Sequence, residues 1–361
     1  MKKSLLALAV LGAFAGAASA QSSVTVYGIV DLGFNSTDYG AAAGRVNGIT
    51  SGNQSASRIG FKGTEDLGNG LKALFQLEST IAADTGAAFG VTNGNVGGFN
   101  RFATVGLQSA TFGTVLLGRQ TSVIKDAYDQ IDPFGDGGTV GAISNVFFNG
   151  VLSGDNGRVS NTAKYTSNSF GGFKANAAYS FGETAGDTGA NSSYGLGLGY
   201  ANGPLNVQYA YHNVDVSTFA NPSVQTGKLK ANFLGLTYDF GVVKLHGAYG
   251  DGKVETITPS TEVKVRNWLL GVSAPVGPGT IFASYSVNDN RSFDNADSKK
   301  AAIMYSYDLS KRTNLYTGYS YTSNDDFGVV GLNRVGNPGN PATGVVGESA
   351  STFTVGIRHK F

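Results

Sequence analysis

The chain closes on Ser351-Thr-Phe-Thr-Val-Gly-Ile-Arg-His-Lys-Phe361, and the alternation within that stretch decides the fold. Side chains of an extended strand alternate sides with period two. Phe353, Val355, Ile357, His359 and Phe361 therefore share one face, while Thr354, Gly356, Arg358 and Lys360 share the other. One face suits lipid and the other suits water. A soluble sheet rarely leaves a terminal Phe at its edge, whereas a membrane-spanning barrel commonly ends this way.

The opposite end agrees. Lys2 and Lys3 precede the apolar run from Leu5 to Phe14, and Ala18-Ser19-Ala20 is a small-residue cleavage site, so residues 1–20 read as a secretory signal peptide. The run is too short to anchor the chain in a bilayer. The mature domain is then residues 21–361, and losing the two lysines takes the formal charge from +1 to just below zero.

Composition narrows the class further. There are 53 Gly, 17 Tyr, 22 Phe, one Trp and no Cys. No later stretch reaches the roughly 18 consecutive apolar residues of a membrane helix, so a membrane crossing has to be a closed barrel. The absence of Cys excludes a disulfide scaffold and thiol chemistry. Near-neutral charge gives no field favouring nucleic acid. With three His and no Cys, a metal centre is not expected, and no cofactor is implied.

Short turn-forming connections recur at residues 65–70, 109–113, 167–172, 201–204, 238–241, 275–279 and 307–312, each carrying Gly, Asn, Asp or Pro. They separate alternating segments at 24–34, 57–65, 71–79, 101–108, 113–120, 158–166, 172–181, 192–200, 205–213, 228–238, 242–251, 262–273, 280–288, 298–307, 313–322 and 351–361. The pattern predicts an all-β fold, a 16-stranded antiparallel transmembrane β-barrel. The remaining connections, such as 35–56, 79–100, 121–157 and 323–350, are long and polar. Short turns on one rim and long loops on the other are the layout of an outer-membrane barrel, and this many strands enclose water. Tyr179, Phe181, Tyr238, Phe240, Tyr319 and Tyr321 gather at strand ends, where an interfacial girdle needs amphipathic rings.

With these features in place, the chain resembles the trimeric general-diffusion porins of Gram-negative outer membranes, most closely their beta-proteobacterial branch. The resemblance is carried by Val24-Thr-Val-Tyr-Gly-Ile-Val-Asp31, Ser57-Arg-Ile-Gly-Phe-Lys-Gly-Thr-Glu-Asp-Leu-Gly68, Gly113-Thr-Val-Leu-Leu-Gly-Arg-Gln120, Tyr307-Asp-Leu-Ser-Lys-Arg-Thr313 and Gly356-Ile-Arg-His-Lys-Phe361. It implies a homotrimer among outer-membrane lipids and lipopolysaccharide, inserted by the barrel assembly machinery, which reads Phe361 as part of its signal. It also implies that the loop 121–157 folds inward and constricts a channel for ions and small hydrophilic solutes.

Arg58, Arg101 and Arg158 match the family's basic wall positions, with Lys62, Lys72 and Lys164 in support. The loop offers Asp126, Asp129, Asp132 and Asp136 opposite them. Acids facing bases across a narrow pore create a transverse field, and the excess of bases, offset in part by Asp31, predicts weak anion preference. The family places a Glu directly after the loop's Pro, whereas Phe134 follows Pro133 here. Outward Val24, Val26, Gly28, Val30 and Val115 are the expected subunit contact.

Other functions fit less well. His212, His246 and His359 stand in no motif with Ser or Asp, which argues against a hydrolase. Gly195-Leu-Gly-Leu-Gly199 lacks the following helix and Lys of a phosphate loop and reads as small residues at a subunit contact. A sugar-specific channel would carry a file of lumenal aromatics, for which only Tyr27 and Tyr316 qualify. An adhesin or structural barrel is the remaining alternative.

Overall fold

A computed structural model describes residues 23–40, 44–87, 98–135, 138–148, 157–218, 221–256, 262–328, 330 and 346–361. The expected signal peptide lies outside them, as does Asp136. The strands are β1 (Ser23–Asp38), β2 (Arg45–Ser51), β3 (Arg58–Gly68), β4 (Leu71–Thr80), β5 (Phe102–Ser109), β6 (Gly113–Thr121), β7 (Arg158–Thr166), β8 (Phe173–Ser180) and β9 (Ser193–Asn202). They continue as β10 (Leu205–Thr218), β11 (Asn221–Asp239), β12 (Lys244–Thr256), β13 (Val263–Val276), β14 (Gly279–Asn290), β15 (Ser298–Asp308), β16 (Thr313–Asn324) and β17 (Ala350–Lys360). Between β6 and β7 the described residues form the helix α1 (Val123–Asp129) and a single 3-10 turn at Ile143–Asn145.

Every pairing is antiparallel, and β1 closes the ring by pairing with β17 on one side and with β2 and β3 on the other. β2 runs beside the upper half of β1 and β3 beside its lower half, so the two share one wall position and the barrel has sixteen. The strand β2 falls within residues 35–56, which the sequence pattern assigns to a loop. Its alternation is hidden because residues 52–57 between β2 and β3 leave the wall and break the period.

Closure removes every edge, and this matters because an unpaired amide in hydrocarbon costs several kcal/mol. Sidedness follows the sequence pattern. Leu196, Leu198, Leu234, Leu236, Leu270, Ile303, Val355 and Ile357 stand exposed on the outer wall, a surface only lipid would cover. Rings border this band, with Phe173 beside Tyr200 and Tyr238 beside Phe240 at the short-turn rim, and Tyr179 beside Phe181 toward the long loops. The tight turn Gly68-Asn69-Gly70 has all three φ angles positive, which explains its composition.

The C-terminus seals the ring. Phe361 and Gly28 exchange backbone hydrogen bonds of 3.1 Å in both directions, and the Phe361 ring lies where a Cβ on Gly28 would stand. Gly28→Leu, like deletion of Phe361, is therefore expected to cut the yield of heat-modifiable barrel in a refolding assay. Gly48→Leu, at a position with open space beside it, is the control for a surface change. Val24, Val26 and Val115 on the same side of the ring are exposed, as a subunit contact requires.

Candidate functional site

The long loop after β6 enters the barrel. Ser122 caps α1, its hydroxyl accepting the Lys125 N–H at 3.3 Å, and the helix buries Val123, Ile124, Ala127 and Tyr128. These side chains join Ile131, Ile143, Phe147 and Phe148 of the loop against Ala210, Leu229, Ala231, Phe233, Ala248, Val265 and Leu269 of β10 to β13. A second cluster sets Val140 against Ala302, Met304 and Tyr316 of β15 and β16, with Phe134 and Phe282 beside it. The lumen is aqueous, so the hydrophobic effect drives this docking as it would a soluble core. The loop thereby fills the interior along β10 to β13 and at β15 and β16, and narrows the passage that is left.

The wall makes room for the loop with glycine. A Cβ on Gly197 would lie 2.7 Å from Val123, one on Gly235 2.6 Å from Ile131, one on Gly271 2.8 Å from Pro133 and one on Gly250 2.9 Å from Phe148. The glycines trace the path of the loop across β9, β11, β12 and β13. Gly195 and Gly197 point inward, paired with His212 and Ala210, so these two glycines make room for the loop and do not face outward as a subunit contact of small residues would require.

Polar groups fix the register of the docked loop. The Asn267 carboxamide oxygen accepts the Phe148 N–H at 2.9 Å, Asn288 donates to the Val146 carbonyl at 3.1 Å, and His246 Nδ1 donates to the Ile131 carbonyl at 2.6 Å. The loop tip is held from across the pore. Asp31 is fully buried, with Oδ2 accepting the N–H groups of Gln54 and Ser55 at 2.9 and 2.6 Å and Oδ1 accepting the Tyr316 hydroxyl at 2.5 Å. This turns residues 52–57 inward, and the Asn53 carbonyl there accepts the Thr139 N–H at 2.8 Å. Asp31 is thus a clamp rather than a free lumenal charge. Asp31→Ala leaves two buried amides and a hydroxyl unsatisfied, at about 1–3 kcal/mol each, and should appear as larger open-channel current noise in single-channel recordings.

The ionisable residues are distributed differently from the two-wall expectation. Arg101 is buried in a 2.5 Å ion pair with Glu78, which also accepts the Tyr27 hydroxyl at 2.8 Å, so its charge is cancelled locally. Lys164 pairs with Asp126 at 2.7 Å and Asp129 pairs with Lys125 at 2.8 Å. Asp132 is buried and accepts backbone N–H groups from Phe134 and Ile143. Three of the four loop acids therefore lock the loop instead of lining a free acidic wall. Lys72 pairs in register with Asp66 beside the short turn, far from a constriction.

Arg158 opens β7 next to an irregularity in its pairing with β6. A bulge between Gly118 and Gln120, with Asn161 at φ 54°, shifts the parity of β7. Beyond the bulge Arg158 pairs in register with Thr121, whose hydroxyl donates to Asp126 and accepts from Lys164 at 3.3 Å, while Ser160 accepts from the outer-face Arg119 at 2.9 Å.

Arg58 and Lys62 keep their expected face, Lys62 lying over the Tyr27 ring at 5.0 Å. Arg58, Ile29 and Lys360 form one row across β3, β1 and β17, and Arg358 stands in the next inward row opposite Asp31. Below the docked loop, Arg358, Lys360, Lys244, Lys311 and Arg312 line a water-accessible cavity of about 500 Å³, whose acids are Asp132 and Asp308. Arg358 donates to Asn314 at 2.9 Å and to Ser55 at 2.8 Å, both neutral acceptors. Burial pushes the Asp132 carboxyl up to about 8 from its ordinary 3.8, leaving it neutral at pH 7. This cationic vestibule escapes the sequence reading, although the inward parity of Arg358 and Lys360 is legible.

The raised Asp132 value links loop docking to pH. A carboxyl that holds its proton in the docked loop but loses it in a released one makes docking weaken as pH rises from about 4 to about 8. Conductance noise should grow over that window, and Asp132→Asn should flatten the profile.

A closed sixteen-position barrel with an inward loop and a charged, water-filled passage defines a diffusion channel of the porin class. The sequence of residues 7–326 matches the model of the Gram-negative porin family. An outer membrane porin protein of Bordetella pertussis is 34% identical, and outer membrane porin protein 32 of Delftia acidovorans 38% identical, each over the full length of both chains. The solved anion-selective porin from Comamonas acidovorans superposes with a TM-score of 0.82 at 32% identity, covering 94% of this chain and all of that one. The chain belongs to the Gram-negative porin family and is an outer-membrane porin, a passive channel for ions and small hydrophilic solutes.

Proposed function

We propose that this porin is a general-diffusion channel with weak anion preference, working as a homotrimer of residues 21–361 after removal of residues 1–20. The observation that carries the preference is the vestibule, where Arg358, Lys360, Lys244, Lys311 and Arg312 make no ion pair among the described residues. In a narrow passage the nearest uncompensated charges govern which ions enter. Arg58 and Lys62 continue the basic wall from β17 across β1 onto β3, the Arg101–Glu78 pair adjoins them from β4, and Lys164 holds Asp126 of the loop. The porin of known structure with similar sequence is described as anion-selective, which supports the reading.

The trimer reading rests on the exposed valines of β1 and β6 and on a trimer form of a Vibrio cholerae outer-membrane protein that shares the fold. Lipopolysaccharide and other outer-membrane lipids would surround the remaining wall, and the assembly machinery would read Phe361. Tyr27 and Tyr316 are both engaged by carboxylates, Glu78 and Asp31, which argues against their serving a sugar-specific channel as an aromatic file. The channel takes no cofactor, and no reaction is assigned to it.

Liposome swelling tests the reading. Small anionic solutes should enter faster than neutral or cationic ones of equal size, with rates linear in concentration. Saturating rates would indicate a specific channel, and absence of swelling a structural barrel.

A further inference from the structure

On the outer wall, Lys253, Lys264, Arg266 and Arg291 converge with Asp251 and Tyr249 on an open cleft of about 530 Å³. Strand parity puts these charges on the membrane side. Arg266 and Lys264 share the face of Trp268 and Leu270, and Asp251 and Lys253 share that of Tyr249 and Leu245, all four apolar residues being exposed. Register places Tyr249 opposite Trp268, Asp251 opposite Arg266 and Lys253 opposite Lys264. Trp268 contacts the Tyr285 ring at 5.6 Å, so the cleft begins one residue pair, roughly 7 Å, beyond the ring belt toward the long-loop rim. This is the depth of lipid headgroups.

The cations are loosely held. Lys253 contacts Glu255 at 3.1 Å and Glu262, Lys264 contacts Glu262 at 2.6 Å, and Arg291 lies 3.6 Å from Asp289, all in solvent-exposed pairs that exchange readily. Arg266 makes no ion pair among the described residues. A phosphate offers Arg266 and Arg291 the bidentate, charge-assisted contacts that these exposed surface pairs lack. The cleft lies on β12 to β14, away from the β1 and β6 face assigned to the trimer.

We propose that this cleft binds the phosphate of an acylated, phosphorylated lipid in the outer leaflet, with its chains lying along Trp268, Leu270 and Leu245. Charge complementarity with the four cations selects the phosphate, and the adjoining exposed apolar strip selects a lipid over a free anion. The depth assignment rests on the outer-membrane orientation, with the long loops outward.

Trp268 is the single tryptophan of the chain and sits beside the cleft, so its fluorescence reports occupancy. The full-length folded barrel, delipidated in a neutral detergent, is titrated with phosphorylated lipid A, with dephosphorylated lipid A and with inorganic phosphate. The expected result is a saturable change in Trp268 emission with phosphorylated lipid A alone, weakened at least tenfold in the K264Q/R266Q/R291Q variant. The variant should retain wild-type heat-modifiable mobility and conductance, because none of the three residues lines the pore. An equal response to both lipids, a response to inorganic phosphate alone, or full binding by the folded variant would overturn the proposal. None of these outcomes would alter the zero-current potential, so failure here is distinguishable from failure of the channel reading.

Discussion

A barrel carrying Gly197→Leu and Gly235→Leu together is expected to show a higher and noisier single-channel conductance than the wild type, with unchanged heat-modifiable assembly. Each new side chain would occupy space held by Val123 or Ile131, whose nearest atoms lie 2.7 and 2.6 Å from where the added Cβ atoms would stand. Overpacking of this kind costs roughly 1–3 kcal/mol per site. The two sites lie on different strands, so together they shift the docked-to-released ratio of the loop by a factor of about 30 or more. The barrel ladders are untouched. Gly247→Leu is the matched control, since a Cβ there meets nothing within 4 Å. Conductance equal to wild type in the double variant would mean that the loop does not set the bore.

Replacing Arg58, Arg358 and Lys360 together by Gln is expected to move selectivity toward cations. One charge at contact distance in water is worth about 1 kcal/mol, so the anion-to-cation permeability ratio should fall by about fivefold or more at low salt. The effect should shrink in 1 M salt, where the screening length drops to about 3 Å from about 10 Å at 0.1 M. Gln preserves a donor toward Asn314 and Ser55, which Arg358 now contacts. The companion variant E78Q/R101Q removes one charge of each sign from a buried pair and should leave selectivity nearly unchanged. A larger shift in the companion than in the triple variant would move the selectivity determinant to the upper wall.

The barrel was legible because its causes are local. Period-two alternation, turn residues and the final Phe361 are each visible in a short window, and alternation alone sets Arg58 and Lys62 on one face of β3. What escaped depends on partners distant in sequence. Nothing near Arg101 announces Glu78, and nothing near Lys164 announces Asp126, yet these pairs decide which charges remain to act on a solute. The inward turn at 52–57 hid both β2 and the buried role of Asp31. The glycine path held an unread signal, since Gly197, Gly235, Gly250 and Gly271 all fall on the inward parity of their strands, where a water-filled channel alone has no need of them.

The central claim is that a cationic passage, left once Asp126, Asp129 and Asp132 are paired or buried, gives this porin its anion preference. The zero-current potential across a planar bilayer holding the purified wild-type protein, measured under a tenfold KCl gradient at pH 7, tests it most directly. The account predicts a potential displaced toward the equilibrium value for chloride, and more so at 0.01–0.1 M than at 0.1–1 M, as screening requires. A potential displaced toward the equilibrium value for potassium would contradict it.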